Sequence, residues 1–160
     1  MDRERGHENS EHLQLRAWLR LLTCANLIEA RVRAGLRESY SITLPRFDVL
    51  SQLARARDDG HPDGLTMGEL SQRMMVSAGN VTGLVDGLVS DGLVMRQAHA
   101  RDRRSARVSL TSSGKDAFEA MLPTHERWID EAFSALDAGE LKRLLALLAK
   151  LKTSAAGDRA

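Results

Sequence analysis

Five arginines, Arg96, Arg101, Arg103, Arg104 and Arg107, fall within a dozen residues that hold a single acid, Asp102, so residues 96–107 carry a formal charge of +4. The whole 160-residue chain carries only +1, from 23 Lys and Arg against 22 Asp and Glu. The molecule is no polycation, and attraction to a polyanion has to come from this local cluster. Just upstream, Asn80 offers the paired donor and acceptor that match the major-groove edge of adenine, and Ser77 and Thr82 carry hydroxyls suited to phosphates or base edges. The other reactive types are dispersed. His7, His12, His61, His99 and His125 have neither a catalytic partner nor a short-range ligand pairing, so neither an enzyme nor a metal site is expected, and no cofactor is implied. The one cysteine, Cys24, excludes an internal disulfide and sits in Leu21-Leu22-Thr23-Cys24-Ala25, where a small buried hydrophobe is its expected role and a reactive thiolate the alternative.

These residues need elements to position them, and helical periodicity supplies most. Leu15, Trp18, Leu22, Ala25, Val32 and Leu36 keep three- and four-residue steps, which predicts one long helix over about 11–38. Pro45 suits a first helical turn, because its missing N–H would have no partner there, and Phe47, Leu50 and Leu53 continue a second helix to about Arg57. Asp58 to Gly64 is turn chemistry, and Thr66 with Glu69 forms a capping-box pattern that opens a short third helix to about Met74. Ser77 can cap a fourth helix whose Val81, Leu84, Val85, Leu88 and Val89 share one face, and Gly92 can end it. On the opposite face lie Gly79, Gly83 and Gly87. Residues 77–91 contain no Lys or Arg but do contain Asp86 and Asp91, so this helix adds little general electrostatic affinity.

The period then shortens to two over 93–98 and 105–110, as a β-hairpin requires, with the arginine cluster on it. Thr111 can cap a further helix interrupted by Pro123, expected to kink it, and Asp137 with Glu140 opens a last helix striped by Leu141, Leu144, Leu145, Leu148 and Leu151. Two short helices followed by a hairpin make a winged helix-turn-helix within a mainly α chain. The expected division is a DNA-binding lobe over 41–111 and a helical dimerisation region over 1–40 and 112–160. The first ten residues lack the apolar core of a signal peptide, and no apolar run nears the roughly 18 residues of a membrane span. A cytoplasmic protein without a membrane partner is expected.

The chain resembles the MarR family of bacterial transcriptional regulators through SAGNVTGLVDGLVSDGL at 77–93, DRRSARVSLTSSG at 102–114 and long helices on both sides. The resemblance spans nearly all of the chain, and its most specific element is Asp102-Arg103-Arg104 followed by Leu110-Thr111-Ser-Ser-Gly114. It implies a two-fold homodimer joined by terminal helices, acting as a repressor on a palindromic double-stranded operator and released by a small effector. It also implies that Arg104 reaches a minor groove while Asp102 orients an arginine or the turn, leaving Arg101, Arg103 and Arg107 for phosphates. The family's effector pocket lies between the dimerisation helices and the lobe. Here that region could present Arg16, Trp18, Arg20, Leu22, Arg31, Arg33, Arg37, Tyr40, Phe47, Met121 and Trp128, which suit an aromatic carboxylate or a coenzyme A thioester. Two other readings stay open: a redox-sensing repressor using Cys24, and a helical protein-interaction module that binds no DNA.

Overall fold

The computed structural model describes residues 4–99 and 102–157, with side chains described for 12–97 and 106–157. Arg101 lies outside the described residues, and so do the side chains of Asp102, Arg103 and Arg104. The order of elements is α1 (Glu4–Tyr40), α2 (Leu44–Asp58), β1 (Leu65–Thr66), α3 (Met67–Met74), α4 (Ala78–Ser90), β2 (Val94–His99), β3 (Asp102–Leu110), α5 (Ser112–Phe133) and α6 (Ala138–Ala156). No helix of the described residues is long and apolar enough to cross a membrane.

Local chemistry explains most of the boundaries. Thr66 Oγ1 accepts from the Glu69 N–H at 3.2 Å while the Glu69 carboxylate accepts from the Thr66 N–H at 2.7 Å, so two orphan donors at the start of α3 are satisfied reciprocally. Asp137 and Glu140 repeat the box at α6. Thr111 caps α5 through the Gly114 N–H at 2.9 Å, and its hydroxyl donates to the Gly92 carbonyl at 2.7 Å. Gly92, at φ +71°, therefore turns the chain out of α4 at the point where α5 begins. α5 runs through Pro123 as one helix, although the proline removes a backbone donor.

The sheet has three strands in the order β1-β3-β2, all antiparallel, with Leu65 opposite Val108 and Arg96 opposite Val108 from the other side. β1 is the element that periodicity missed. A two-residue strand shows no alternation, and only its partner β3 defines it.

One core joins both parts of the chain. Leu50, Leu53 and Val49 of α2, Leu70 of α3, Val81, Val85 and Leu88 of α4, and Val94 and Val108 of the sheet are buried together with Val32 and Leu36 of α1 and Phe118 and Met121 of α5. The outer helices behave differently. The N-terminal half of α1 leaves Leu15, Trp18 and Leu22 exposed, Trp18 at 55%. α6 buries none of its residues, and Leu145 and Leu147 are 67% and 63% exposed. The apolar stripes expected from periodicity exist, yet the single chain covers that of α1 only at its Val32 and Leu36 end and leaves Leu145, Leu148 and Leu151 of α6 exposed.

Candidate nucleic-acid interface

α4 turns Val81, Val85 and Leu88 into the core, and helical geometry therefore places Ser77, Asn80, Thr82, Gly79 and Gly83 outward, where all five are exposed. Ser77 is the N-cap, its hydroxyl facing the Asn80 N–H at 3.4 Å, and Thr82 Oγ1 donates to the Ala78 carbonyl at 2.9 Å. Both hydroxyls keep lone pairs free to accept. The Asn80 amide has no intramolecular bond among those described. A Cβ at Gly79 or Gly83 would meet nothing within 4 Å, so the outward face is low, open backbone flanked by one amide and two hydroxyls.

Asp86 of α4 and Asp91 at its C-cap both pair with arginines from other elements. Arg46 of α2 pairs with Asp91 and lays its guanidinium 3.5 Å from the Cβ position of Gly87, with its Nε buried and without a partner. Arg96 of β2 pairs with Asp86 at 2.7 Å. Gly87 is thus covered by Arg46 and differs from Gly79 and Gly83, with which periodicity had grouped it. The role of Arg46 was not anticipated; two carboxylates on a helix without a cation were the available signal.

Arg107 was expected on phosphates. In the structure its Nη1 donates to the Gly64 carbonyl at 2.9 Å and lies 3.8 Å from Glu69 Oε2, so it braces the β1–α3 corner against β3. The Glu69 carboxyl lies below the usual carboxylate range, chiefly because it accepts from the Thr66 N–H, with the Thr66 hydroxyl and Arg107 adding to this against desolvation. Arg96 and Arg107, the cluster arginines whose side chains are described, both pair within the fold.

The proposed effector residues fall into two groups. Phe47 is buried, its ring 4.8 Å from His125 and 5.5 Å from Phe118, at the floor of a cleft of about 420 Å³ between α2 and α5. Asp58, Glu126 and Asp130 line this cleft with one cation, Arg55. Met121 is buried nearby in the core. Tyr40 donates to Thr124 Oγ1 at 2.9 Å, Arg31 pairs with Glu131, Arg33 pairs with Glu29, and Trp128 packs on Gly35. Arg37 borders a shallow depression along α1 with Arg33 and Glu38. Arg16, Trp18, Arg20 and Leu22 are exposed far along α1, Trp18 being roughly 25 Å from Gly35 at 1.5 Å per residue. One chain does not bring these groups together. Cys24 is likewise exposed on α1, contrary to the buried position expected for it.

Similarity to known proteins now bears on this geometry. A model of the MarR family matches residues 40–105, from the end of α1 into the hairpin. A MarR family transcriptional regulator from Silicibacter pomeroyi is 32% identical, with a TM-score of 0.74 over 91% of this chain and 96% of that one. The chain belongs to the MarR family. The transcriptional activatory protein BadR of Rhodopseudomonas palustris is 30% identical over 139 residues, covering 85% of this chain and 76% of that protein. The HTH-type transcriptional repressor YetL of Bacillus subtilis is 39% identical over 80 residues, half of this chain and 46% of that protein. The MepR–DNA complex of S. aureus shares the fold, with a TM-score of 0.73 at 23% identity. This MarR-family chain is therefore a transcriptional regulator and not an enzyme, and α3, α4 and the β2–β3 hairpin are its winged helix-turn-helix.

Proposed function

We propose that this regulator binds duplex DNA in the cytoplasm as a two-fold dimer, with α4 in the major groove and the hairpin against the flanking backbone and minor groove. The observation that carries this reading is the split of α4: its apolar face is buried, while Asn80, Thr82 and the open Gly79–Gly83 backbone face outward beside an arginine-rich hairpin. Whether such binding represses or activates depends on where the operator lies relative to the promoter, and the relatives carry both signs in their names.

The helix and the hairpin serve different kinds of binding. Asn80→Ala removes a bidentate base contact and should cost about 1–3 kcal/mol on a cognate duplex while leaving random duplex nearly unaffected. Arg103→Ala should weaken both duplexes and reduce the salt slope by about one, the signature of one lost phosphate contact. Arg104→Ala should do both, with the larger penalty where flanking DNA is A·T-rich. Arg107→Ala belongs to another class: it removes the Gly64 bond and should lower the melting temperature rather than the salt slope. Binding isotherms at several salt concentrations, with thermal melts of each variant, check all four. A wild-type protein that shows no salt-dependent duplex binding would instead fit a protein-interaction module.

The effector proposed is a small organic anion, an aromatic carboxylate or its coenzyme A thioester. The acidic cleft at Phe47 cannot hold an anion by itself, so this reading requires the exposed Arg16, Trp18 and Arg20 of a second copy to complete the site. Such a ligand releases DNA only if it prefers dimers whose α4 helices are wrongly spaced. Titration with aromatic carboxylates should change tryptophan fluorescence and displace DNA, and Arg16→Ala with Arg20→Ala should weaken binding about tenfold or more. Release by oxidant that is lost in Cys24→Ser, with no response to carboxylates, would replace this reading with the redox one.

A further inference from the structure

Met75 sits in the short turn between α3 and α4 with φ +55°, the left-handed region that disfavours any residue with a Cβ. The turn itself imposes this conformation. The Met75 N–H bonds the Gln72 carbonyl at 3.3 Å, the Val76 N–H bonds the Ser71 carbonyl at 3.2 Å, and the Ser71 hydroxyl donates to the Val76 carbonyl at 2.6 Å. Three hydrogen bonds close the end of α3 whatever side chain stands at 75, and glycine would satisfy them without strain. The side chain gains nothing inside the molecule either, since Met75 is 91% exposed, the most exposed large apolar residue among those described. A methionine here bears a backbone penalty and a solvation penalty together. Ser41 holds the same conformation at the end of α1, at φ +53°, so it is the strain together with the exposed apolar chain that points to a use outside the local structure.

The position indicates what that is. Met75 precedes the Ser77 cap by two residues, at the same end of α4 as Asn80, where a recognition helix brings its first turn to the base edges. No cation lies in the turn 75–77, so its contribution there is not phosphate attraction. We propose that Met75 is a specificity-determining contact whose thioether chain packs on the C5-methyl group of a thymine in the major groove. This rests on the DNA-binding reading above. Thymine is the base that offers an apolar group in that groove, and an unbranched, flexible side chain reaches it without a fixed hydrogen-bond geometry.

The test uses a duplex selected by the wild-type protein from a randomised library, and Met75→Gly and Met75→Leu variants of the full chain. Met75→Gly relieves the backbone, so its melting temperature should be unchanged or higher, while its affinity for the selected duplex should fall about fourfold or more, the factor corresponding to one buried methyl. Met75→Leu should retain most of the affinity. Replacing thymines singly by deoxyuridine should reveal one position where wild type loses a similar factor and Met75→Gly loses nothing further, the coupling expected of a direct contact. Equal binding by Met75→Gly and wild type, or a loss shared with no single thymine methyl, overturns the contact while leaving the DNA-binding reading intact. A wild-type protein that selects no duplex overturns both.

Discussion

Removing residues 137–160 should convert the protein to a monomer and weaken its binding to a two-half-site duplex by about 10²–10⁴-fold, the factor by which linking two sites exceeds one. α6 buries none of its own residues in the chain, so its loss leaves the core of α2, α4 and the sheet intact and the remainder should still melt cooperatively. Its leucines nevertheless present a stripe at Leu145, Leu148 and Leu151, and α1 presents another at Leu15, Trp18 and Leu22. Each such side chain gains about 1.5–3 kcal/mol when fully buried, which makes a second copy bearing the same stripes the natural cover. Leu145→Glu with Leu148→Glu should reproduce the truncation without shortening the chain. Sedimentation and binding isotherms check both variants. A truncated protein that still sediments as a dimer and binds with unchanged affinity would remove the terminal helices from the interface.

The second large effect is on stability. Gly114→Ala should destabilise the fold by about 3 kcal/mol or more and lower the melting temperature by roughly 6–12 °C. A Cβ at Gly114 would lie 1.8 Å from the Leu93 carbonyl oxygen and 2.7 Å from its carbon. These are backbone atoms at the junction where α4 ends and β2 begins, already fixed by the Thr111 N–H on the Leu93 carbonyl at 3.1 Å and the Thr111 hydroxyl on Gly92. No rotamer change relieves the overlap, and displacing Leu93 would move the hairpin relative to α4. DNA affinity should therefore fall along with stability. Gly68→Ala is the control: it lies in α3, a Cβ there meets nothing within 4 Å, and the change should be neutral or slightly stabilising. Similar melts for the two variants would show that the α4–α5 junction yields more readily than its geometry implies.

What could be read directly from the chain were the features set by neighbours in sequence. The boxes at Thr66–Glu69 and Asp137–Glu140, the caps at Ser77 and Thr111, and the turn at Gly92 each involve groups within a few residues of one another, so residue type and spacing determine them. The same holds for the buried face of α4, which follows from a 3.6-residue period and leaves Asn80 and Thr82 outward by geometry alone. That much was enough to expect a winged helix-turn-helix and to place Asn80 and Thr82, the residues proposed to read bases, on the exposed side.

Tertiary structure decided the rest, because the relevant partners are distant in the chain. Arg107 and Gly64 are 43 residues apart and Arg46 and Asp91 are 45 apart, and no local pattern distinguishes an arginine that closes such a gap from one left to meet phosphate. β1 exists only through β3. The long amphipathic first helix shows the converse: its stripe is uniform in sequence, yet Val32 and Leu36 are buried while Trp18 and Leu22 are not, because α2 and α5 pack against one end of the helix only. Periodicity specifies which face of a helix is apolar; whether that face meets its own chain or a second copy depends on where the other elements lie.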